Sequence, residues 1–523
     1  MRVLLFSMPD TMPGFSSDLA RWPNIALCSL ASNAPGHEVL VGDLCIHRHN
    51  IVEAATKAIA EHKPDLVGLT AMSFQYYTAK RLAEEIRKKH PGLPLALGGY
   101  HGTLNHDEIT KGEDAPLFDF IIRGEGEGTF AEFLDTFEGK RPFEAVKALS
   151  FRQNGQWVHN KGRGILPLTD IKLPDRSARL WTGFKIFTKT IDVLETSRGC
   201  TMPCNFCSIS KMYGRVYRAY PIERVIADIA DAKKHGADYI GFIDDNITLE
   251  VPRFMELCDA IVKAGLDDLG YFTQASSAGI GASPEVAKKM AQAGFRVCFL
   301  GIENVSPRNL KFMHKGQIAE KSKTAVGYLH DNNILVIGGM IIGHPEDREE
   351  DIAFNYDFFL KNDIEMYHDQ ILQPYPKTPL REELLREGLV TNPEDFRYYS
   401  GYWANVKTKH LTSDDIQFLR WKYRGRNARS FTRKYLPPFN RKMSWPEIFY
   451  RCFIYPVKQL RWKWINRGKT EREVYRDYIR RIWDQSQFFQ DKPPSPHLRV
   501  LYDDNAINEI KEESPAPQPP AAG

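Results

Sequence analysis

The chain of 523 residues holds only eight cysteines, too few for a disulfide-stapled secreted scaffold. It has no run of about 18 apolar residues, so no transmembrane helix is expected. The opening residues MRVLLFSMPD lack the longer apolar core and small-residue cleavage site of a signal peptide, and the expected location is the cytoplasm. No internal repeat is visible. An excess of one charge is missing as well: 70 Lys+Arg stand against 66 Asp+Glu, a net of +4, which argues against a protein that coats nucleic acid. With 42% hydrophobic and 26% charged residues, what remains is a folded protein of several domains, neither disordered nor collagenous.

Residues 1–135 alternate short apolar runs (Arg2–Phe6, Glu38–Val41, Leu66–Thr70, Leu95–Leu97, Phe120–Ile122) with amphipathic stretches such as Thr78–His90. This predicts a parallel sheet covered on both faces, a Rossmann-like or flavodoxin-like unit with ligands at the carboxyl ends of its strands. Residues 136–190 read as a connector with a short β element at Ala148–Arg152 and Trp157–Asn160. From 191 to 380, six strand candidates (Asp192–Thr196, Tyr239–Ile243, Gly270–Gln274, Arg296–Ile302, Leu335–Ile342, Asp369–Gln373) alternate with helices. A partial (β/α)6 barrel of the TIM type is expected, with its functional groups at the strand ends. Residues 381–490 read as helical, basic and aromatic, and residues 491–523 as a disordered proline-rich tail. The fold class is α/β.

Three cysteines fall within eight residues: Cys200, Cys204 and Cys207, spaced C-x3-C-x2-C with Phe206 before the last. Three thiolates on one tight loop can ligate three irons of a [4Fe–4S] cube and leave the fourth open. A zinc site or a ferredoxin needs a fourth ligand, and none follows closely. The motif resembles that of the radical SAM superfamily. The resemblance implies that the open iron holds the amino and carboxylate groups of S-adenosyl-L-methionine, whose reductive cleavage gives a 5′-deoxyadenosyl radical. It also implies an electron donor such as flavodoxin or ferredoxin. Other landmarks are similar to the family's in order: Asp244-Asp245-Asn246 after the second strand, Ser276-Ser277 after the third, and Gly301-Ile-Glu303 at the fourth. Gly339 and Gly343 then match a GxIxGxxE pattern near the adenine, and Gln373-Pro-Tyr-Pro376-Lys-Thr-Pro379 follows the sixth strand. An arginine that relatives often carry near Ser276–Ser277 is not there.

Thr70-Ala-Met72 followed by Gly98-Gly99 is similar to the paired signature of cobalamin-binding domains. Gly98-Gly99-Tyr-His101-Gly-Thr103 and Arg123-Gly124-Glu125-Gly126-Glu127 resemble two loops of cobalamin-dependent radical SAM proteins. Glycines there would let backbone approach a flat corrin or its nucleotide tail. The loop that classically gives cobalt a histidine reads Ser7-Met-Pro-Asp10-Thr-Met-Pro-Gly14 and has none. Cobalamin without a protein histidine ligand is therefore expected, with His101 a residue of the binding loop.

From 411 to 484 there are 19 Lys+Arg, 7 Asp+Glu and 16 aromatics, an excess of +12 that leaves the rest of the chain at −8. Arg/Lys interleaved with Trp/Tyr suits a helical cap over the barrel first, then a peripheral contact with an anionic membrane at its inner face, and also an anionic or large flat substrate. Nucleic-acid motifs are absent. The resemblance is to the group containing anaerobic magnesium-protoporphyrin IX monomethyl ester cyclase and hopanoid methylases. It implies an oxygen-sensitive enzyme acting on an unactivated carbon of a small-molecule or lipid-like substrate. Methyl transfer is the main reading. Radical oxidative cyclisation or carbon–carbon bond formation on a porphyrin- or lipid-like substrate is the alternative. A cobalamin or iron–sulfur sensor of redox state or ligand is the alternative of another class.

Overall fold

The computed structural model describes residues 1–9, 20–186, 189–316, 318–434, 453 and 455–484. Its strands are β1 (Arg2–Ser7), β2 (Ala20–Arg21), β3 (Glu38–Asp43), β4 (Leu66–Thr70), β5 (Leu95–Gly98), β6 (Phe120–Ile122), β7 (Leu149–Gln153) and β8 (Gln156–His159). They continue as β9 (Lys185–Ile186), β10 (Lys189–Leu194), β11 (Ser197–Arg198), β12 (Arg218–Ala219), β13 (Tyr239–Phe242), β14 (Gly270–Ser276), β15 (Phe295–Glu303), β16 (Leu335–Ile342) and β17 (Met366–Ile371). Most of the loop after β1, residues 10–19, and the tail expected to be disordered, 491–523, lie outside the described residues.

In β1, Leu4 and Phe6 pack into one helical layer while Val3 and Leu5 pack into the other. A strand buried on both faces has no polar side, which is why its sequence is a continuous apolar run. Helices Ile51–His62 and Tyr76–Lys89 cover one face; Ile25–Ser32 and Gly126–Phe137 cover the other. The sheet order is β3-β1-β4-β5-β6-β7-β8, parallel through β6 in the doubly wound, flavodoxin-like order. The hairpin β7–β8 comes from the expected connector and extends the edge antiparallel.

The second sheet places β17-β16-β15-β14-β13-β10 side by side, all parallel. This is the curled half-barrel expected from six β/α units. Its core is aromatic under the strands, with Phe242 stacked on Tyr271 and on Phe295, each at 5.6 Å. The open edge is extended by β9 and then by β2, which the chain sends across from the amino-terminal unit. The next residue, Trp22, lies where a Cβ on Gly241 would come within 2.3 Å of its ring, and it meets Phe272 edge-on at 5.1 Å.

Helix Ser413–Lys434 closes the other edge. Arg420 Nε donates to the Asp369 carbonyl of β17 at 2.8 Å, Arg424 pairs with the Asp369 carboxylate, and Lys422 reaches Glu349 at 3.0 Å. Helix Glu471–Asp484 packs on it through Arg472 to Asp414 at 2.8 Å and a Phe418–Tyr475 contact at 5.5 Å.

Candidate active site

The three-cysteine loop leaves β11 through Gly199, whose φ of +84° and position suit only glycine: a Cβ would lie 2.3 Å from the Val216 carbonyl oxygen. The Gly199 N–H donates to the Asp245 carboxylate at 2.8 Å. Inside the loop, buried Asn205 donates to the Phe312 carbonyl at 2.8 Å, so the loop is held at both ends. Cys200, Cys204 and Cys207 line one cavity of about 450 Å³. Phe206, Asp245, Asn246, Ser276, Ser277 and Glu303 share its wall.

All seven described cysteines are free thiols. Burial pushes the Cys207 thiol up to about 12 and raises Cys200 and Cys204 as well. Binding metal here must therefore release protons. A single tetrahedral ion with bonds of about 2.3 Å draws its thiolates to roughly 3.8 Å from one another. Among the described residues, the ligand atoms of only one trio, His37, Asp135 and Glu138, lie within 4.8 Å of one another. The three thiols share one cavity without being drawn onto a single point, an arrangement open to the separate corners of an iron–sulfur cube.

The serines use their hydroxyls internally. Ser276 accepts from Gly279 N–H at 3.0 Å, and Ser277 donates to the Gly301 carbonyl at 3.0 Å. Glu303 sits at a left-handed φ of 62° and binds Lys315 Nζ at 3.0 Å. Burial alone would lower the Lys315 ammonium, but Glu303 and the nearby Cys204 reverse this and hold it above its usual range. Lys315 lines the cavity with Ser276 and Ser277, so a cation does stand near the serines, supplied by a loop after the fourth strand.

Three expected residues are not brought to this wall. Asp244 is buried behind it, accepting Thr196 N–H at 3.0 Å, Thr196 O–H at 2.7 Å and Ser197 O–H at 2.5 Å. Burial pushes its carboxyl up to about 6 against these bonds. It joins the ends of β10 and β13, while its neighbour Asp245 faces the cavity. Gly339 leaves room for the Phe299 ring, which a Cβ would meet at 2.7 Å, and it is Phe299 that lines the cavity. Gly343, at φ +85°, packs against Ile416 and Ile371.

A second cavity of about 500 Å³ opens at the carboxyl ends of the first sheet. Thr70, Met72, Gly98, Gly99, Glu125 and Gly126 line it. Gly99 has φ +86°, and a Cβ there would lie 2.6 Å from Thr70 Oγ1 and 2.8 Å from the Ala71 carbonyl. The cavity continues onto the barrel at Leu194, Arg198, Tyr213 and Ile243. His101 does not line it. Helix Gly99–Leu104 turns that ring inward, where it stacks on Tyr76 at 4.1 Å and pairs with Asn105 at 3.2 Å. Burial lowers its imidazole to about 3, so the ring is neutral. Among the described residues no histidine lines this cavity. Its glycine-flanked opening and apolar floor, including Leu5, Leu69 and Leu97, fit a large, flat ligand with a slender tail.

Glu125 is committed to the barrel, pairing with Arg198 at 3.1 Å and Arg218 at 2.7 Å. The sequence reading did not pick out Arg198, Arg218 or Lys315. Arg198 has one local signal, its place two residues before Cys200; the other two have none.

Comparison with known proteins agrees with this geometry. Residues 194–359 match the model of the radical SAM superfamily, and residues 18–134 match that of the B12 binding domain. An uncharacterised methyltransferase of Pyrococcus horikoshii is 31% identical over 400 residues, 76% of this chain and 86% of that protein. The chain belongs to the cobalamin-binding radical SAM family. This radical SAM enzyme has a [4Fe–4S] cluster, S-adenosyl-L-methionine and cobalamin as its cofactors. It is also 25% identical over 394 residues to the anaerobic magnesium-protoporphyrin IX monomethyl ester cyclase of Rubrivivax gelatinosus, covering 73% of this chain and 70% of that one. Its fold is similar to that of the radical S-adenosylmethionine methyltransferase TsrM from Kitasatospora setae, with a TM-score of 0.62 at 18% identity over 75% of this chain and 79% of that one.

Proposed function

We propose that this radical SAM enzyme transfers a methyl group to an unactivated carbon of a small-molecule or lipid-like substrate. The carrying observation is the second cavity. It begins at the Gly98-Gly99 loop and ends on the barrel beside Arg198, two residues from Cys200, so a molecule held between the two units is within reach of both sites. In this reading residues 1–135 are the cobalamin-binding domain, 136–190 the connector, 191–380 the barrel, and 381–490 a helical cap.

When bound, cluster and S-adenosyl-L-methionine supply a deoxyadenosyl radical, and cobalamin carries the methyl group. Cys200, Cys204 and Cys207 hold the cluster as thiolates. Asp245 fixes the stem of their loop through Gly199. Lys315, steadied by Glu303, would offer positive charge to a carboxylate of the cofactor in the cavity it shares with Ser276 and Ser277. Phe206 and Phe299 keep water from the reacting face, and Thr70, Met72, Gly98, Gly99 and Gly126 form the cobalamin seat. An external donor such as flavodoxin or ferredoxin provides electrons.

Turnover with S-adenosylmethionine deuterated in its methyl group tests the reaction: label in the product is expected, and its absence refutes methyl transfer. Unlabelled, dehydrogenated or ring-closed product would favour oxidative cyclisation, and the Rubrivivax relative is named a cyclase. No 5′-deoxyadenosine at all would favour the sensor.

Among the described residues no helix is long and apolar enough to cross a membrane. Helix Tyr455–Ile465 does expose Val457, Leu460 and Trp464, one stripe at helical spacing, beside exposed Arg461 and Lys463. This supports a peripheral contact with an anionic membrane. Binding of the holoenzyme to phosphatidylglycerol vesicles at low salt tests it, and no binding refutes it.

A further inference from the structure

The two cavities are joined by a relay of hydrogen bonds, ion pairs and short backbone steps. It starts at the glycine loop of the first cavity, where the Thr103 hydroxyl donates to the Gly99 carbonyl at 2.8 Å. The Thr103 hydroxyl oxygen in turn accepts the Gly124 N–H at 2.9 Å, next to Glu125 and the first turn of the helix that carries Glu127. Both carboxylates reach across to the barrel and meet one guanidinium: Arg198 binds Glu125 at 3.1 Å and Glu127 at 2.7 Å. Its Nε donates to Glu195 at 2.7 Å. Glu125 also takes Arg218, whose Nη1 donates to the Leu166 carbonyl at 2.6 Å.

Arg198, Glu125 and Glu127 are each under 10% exposed at the side chain, so these bonds are short, charge-assisted and shielded from solvent screening. Three carboxylates against two guanidinium groups leave no spare cation, and loss of Arg198 would strand the buried Glu127 carboxylate. The relay ends at the cluster loop. Arg198 is followed by Gly199, whose N–H is held by the Asp245 carboxylate, and by Cys200; Asp245 and Cys200 both line the other cavity.

We infer that Glu125 and Glu127 are positioning residues that couple the two cofactor sites, so that filling one cavity orders the loop of the other. The inference rests on the assignment of the two cavities above. A ligand seated on Gly98–Gly99 restrains Thr103 and Gly124, and through Arg198 it restrains the stem of the cysteine loop. The second ligand then meets a loop already ordered and binds more tightly. Such coupling is reciprocal by thermodynamic necessity.

The test uses reconstituted, unreduced enzyme under anaerobic conditions, where no turnover occurs. The dissociation constant of S-adenosyl-L-methionine is measured with and without hydroxocobalamin, and that of hydroxocobalamin with and without S-adenosyl-L-methionine. Both ratios should agree and should be about fivefold or more. In Glu125→Gln/Glu127→Gln the ratio should fall to within about twofold of unity. Thr103→Val breaks the relay outside the ion cluster and should lower the ratio too, which covers the case where the double variant does not fold. A wild-type ratio of one overturns the inference, as does an undiminished ratio in a folded variant. Enzyme that binds neither molecule overturns the assignment of the cavities itself, a different result from binding without coupling.

Discussion

Replacing Gly99 by Ala should unseat cobalamin by a calculable amount. At φ +86° a residue with a Cβ pays about 1–2 kcal/mol for the left-handed backbone. The new methyl would also lie 2.6 Å from Thr70 Oγ1, 2.8 Å from the Ala71 carbonyl oxygen and 2.9 Å from Ala71 N. Thr70 can rotate, but the Ala71 backbone is held: its N–H donates to the Gly98 carbonyl and its own carbonyl accepts the His101 N–H. Overpacking against such a wall costs about 1–3 kcal/mol. The sum is about 2–5 kcal/mol, which in this half of the molecule lowers the melting temperature by roughly 5–15 °C. Because the strained turn lines the cavity, cobalamin affinity should fall at least about tenfold, the equivalent of about 1.4 kcal/mol. Thermal unfolding of the apoprotein and titration by the corrin absorbance measure the two effects. Adding Thr70→Ala should recover only the side-chain share, so the double-mutant cycle separates it from the backbone share. A Gly99→Ala protein with a melting temperature within about 1 °C of wild type and unchanged cobalamin affinity would refute this reasoning.

Cys204→Ala should lose the cluster absorbance and all 5′-deoxyadenosine; cleavage that persists without a cluster refutes the assignment of the thiols. Arg176 is wholly buried and bonds Asp192 at 2.8 Å, Asp228 at 2.7 Å and Asp231 at 2.9 Å. Arg176→Met removes their shared partner, leaving Asp192 with Arg179 and Asp228 with Arg224, and should cost about 3 kcal/mol in denaturant unfolding; a cost under about 1 kcal/mol would count against a tightly charged core there. Asp244 has its folded value raised by burial to about 6, so the folded state favours the proton. Its contribution is present at low pH and is lost, by about 3 kcal/mol, as the pH rises from about 4 to about 6. Asp244→Asn should flatten that part of the stability–pH curve, and an identical slope in the variant sinks the argument.

The six barrel strands could be read because short apolar runs alternate with strongly amphipathic helices. Their edges were harder to place. The first strand was expected at Asp192–Thr196 and lies at Lys189–Leu194; the last was expected at Asp369–Gln373 and lies at Met366–Ile371. In both, polar residues occupy strand positions for reasons found elsewhere in the chain. Asp192 answers Arg176 and Arg179, and His368 meets Tyr402 at 3.1 Å. The cysteine loop was legible because its chemistry is contiguous. Lys315 was not, since the bond that gives it meaning is tertiary, and the partners of Glu125 lie 73 and 93 residues away. His101 was misjudged as a loop residue because the glycine pair before it begins a helix rather than a loop. A helical turn moves the third residue to the inner side, under Tyr76.

The strand β2 gives the molecule an order of assembly. Ala20–Arg21 leaves the ribosome well before its β-partner among the described residues, β9, and Trp22 meets Gly241 and Phe272 of the barrel besides the amino-terminal core. At usual synthesis rates of about 5–20 residues per second, Ile186 follows Arg21 by roughly 10–30 s. Throughout that interval the amino-terminal sheet can form while Ala20–Arg21 lacks its β-partner. The seam between the halves therefore closes late. A fragment ending at residue 160 would present Ala20–Arg21 as an orphaned edge to any chaperone or neighbouring chain.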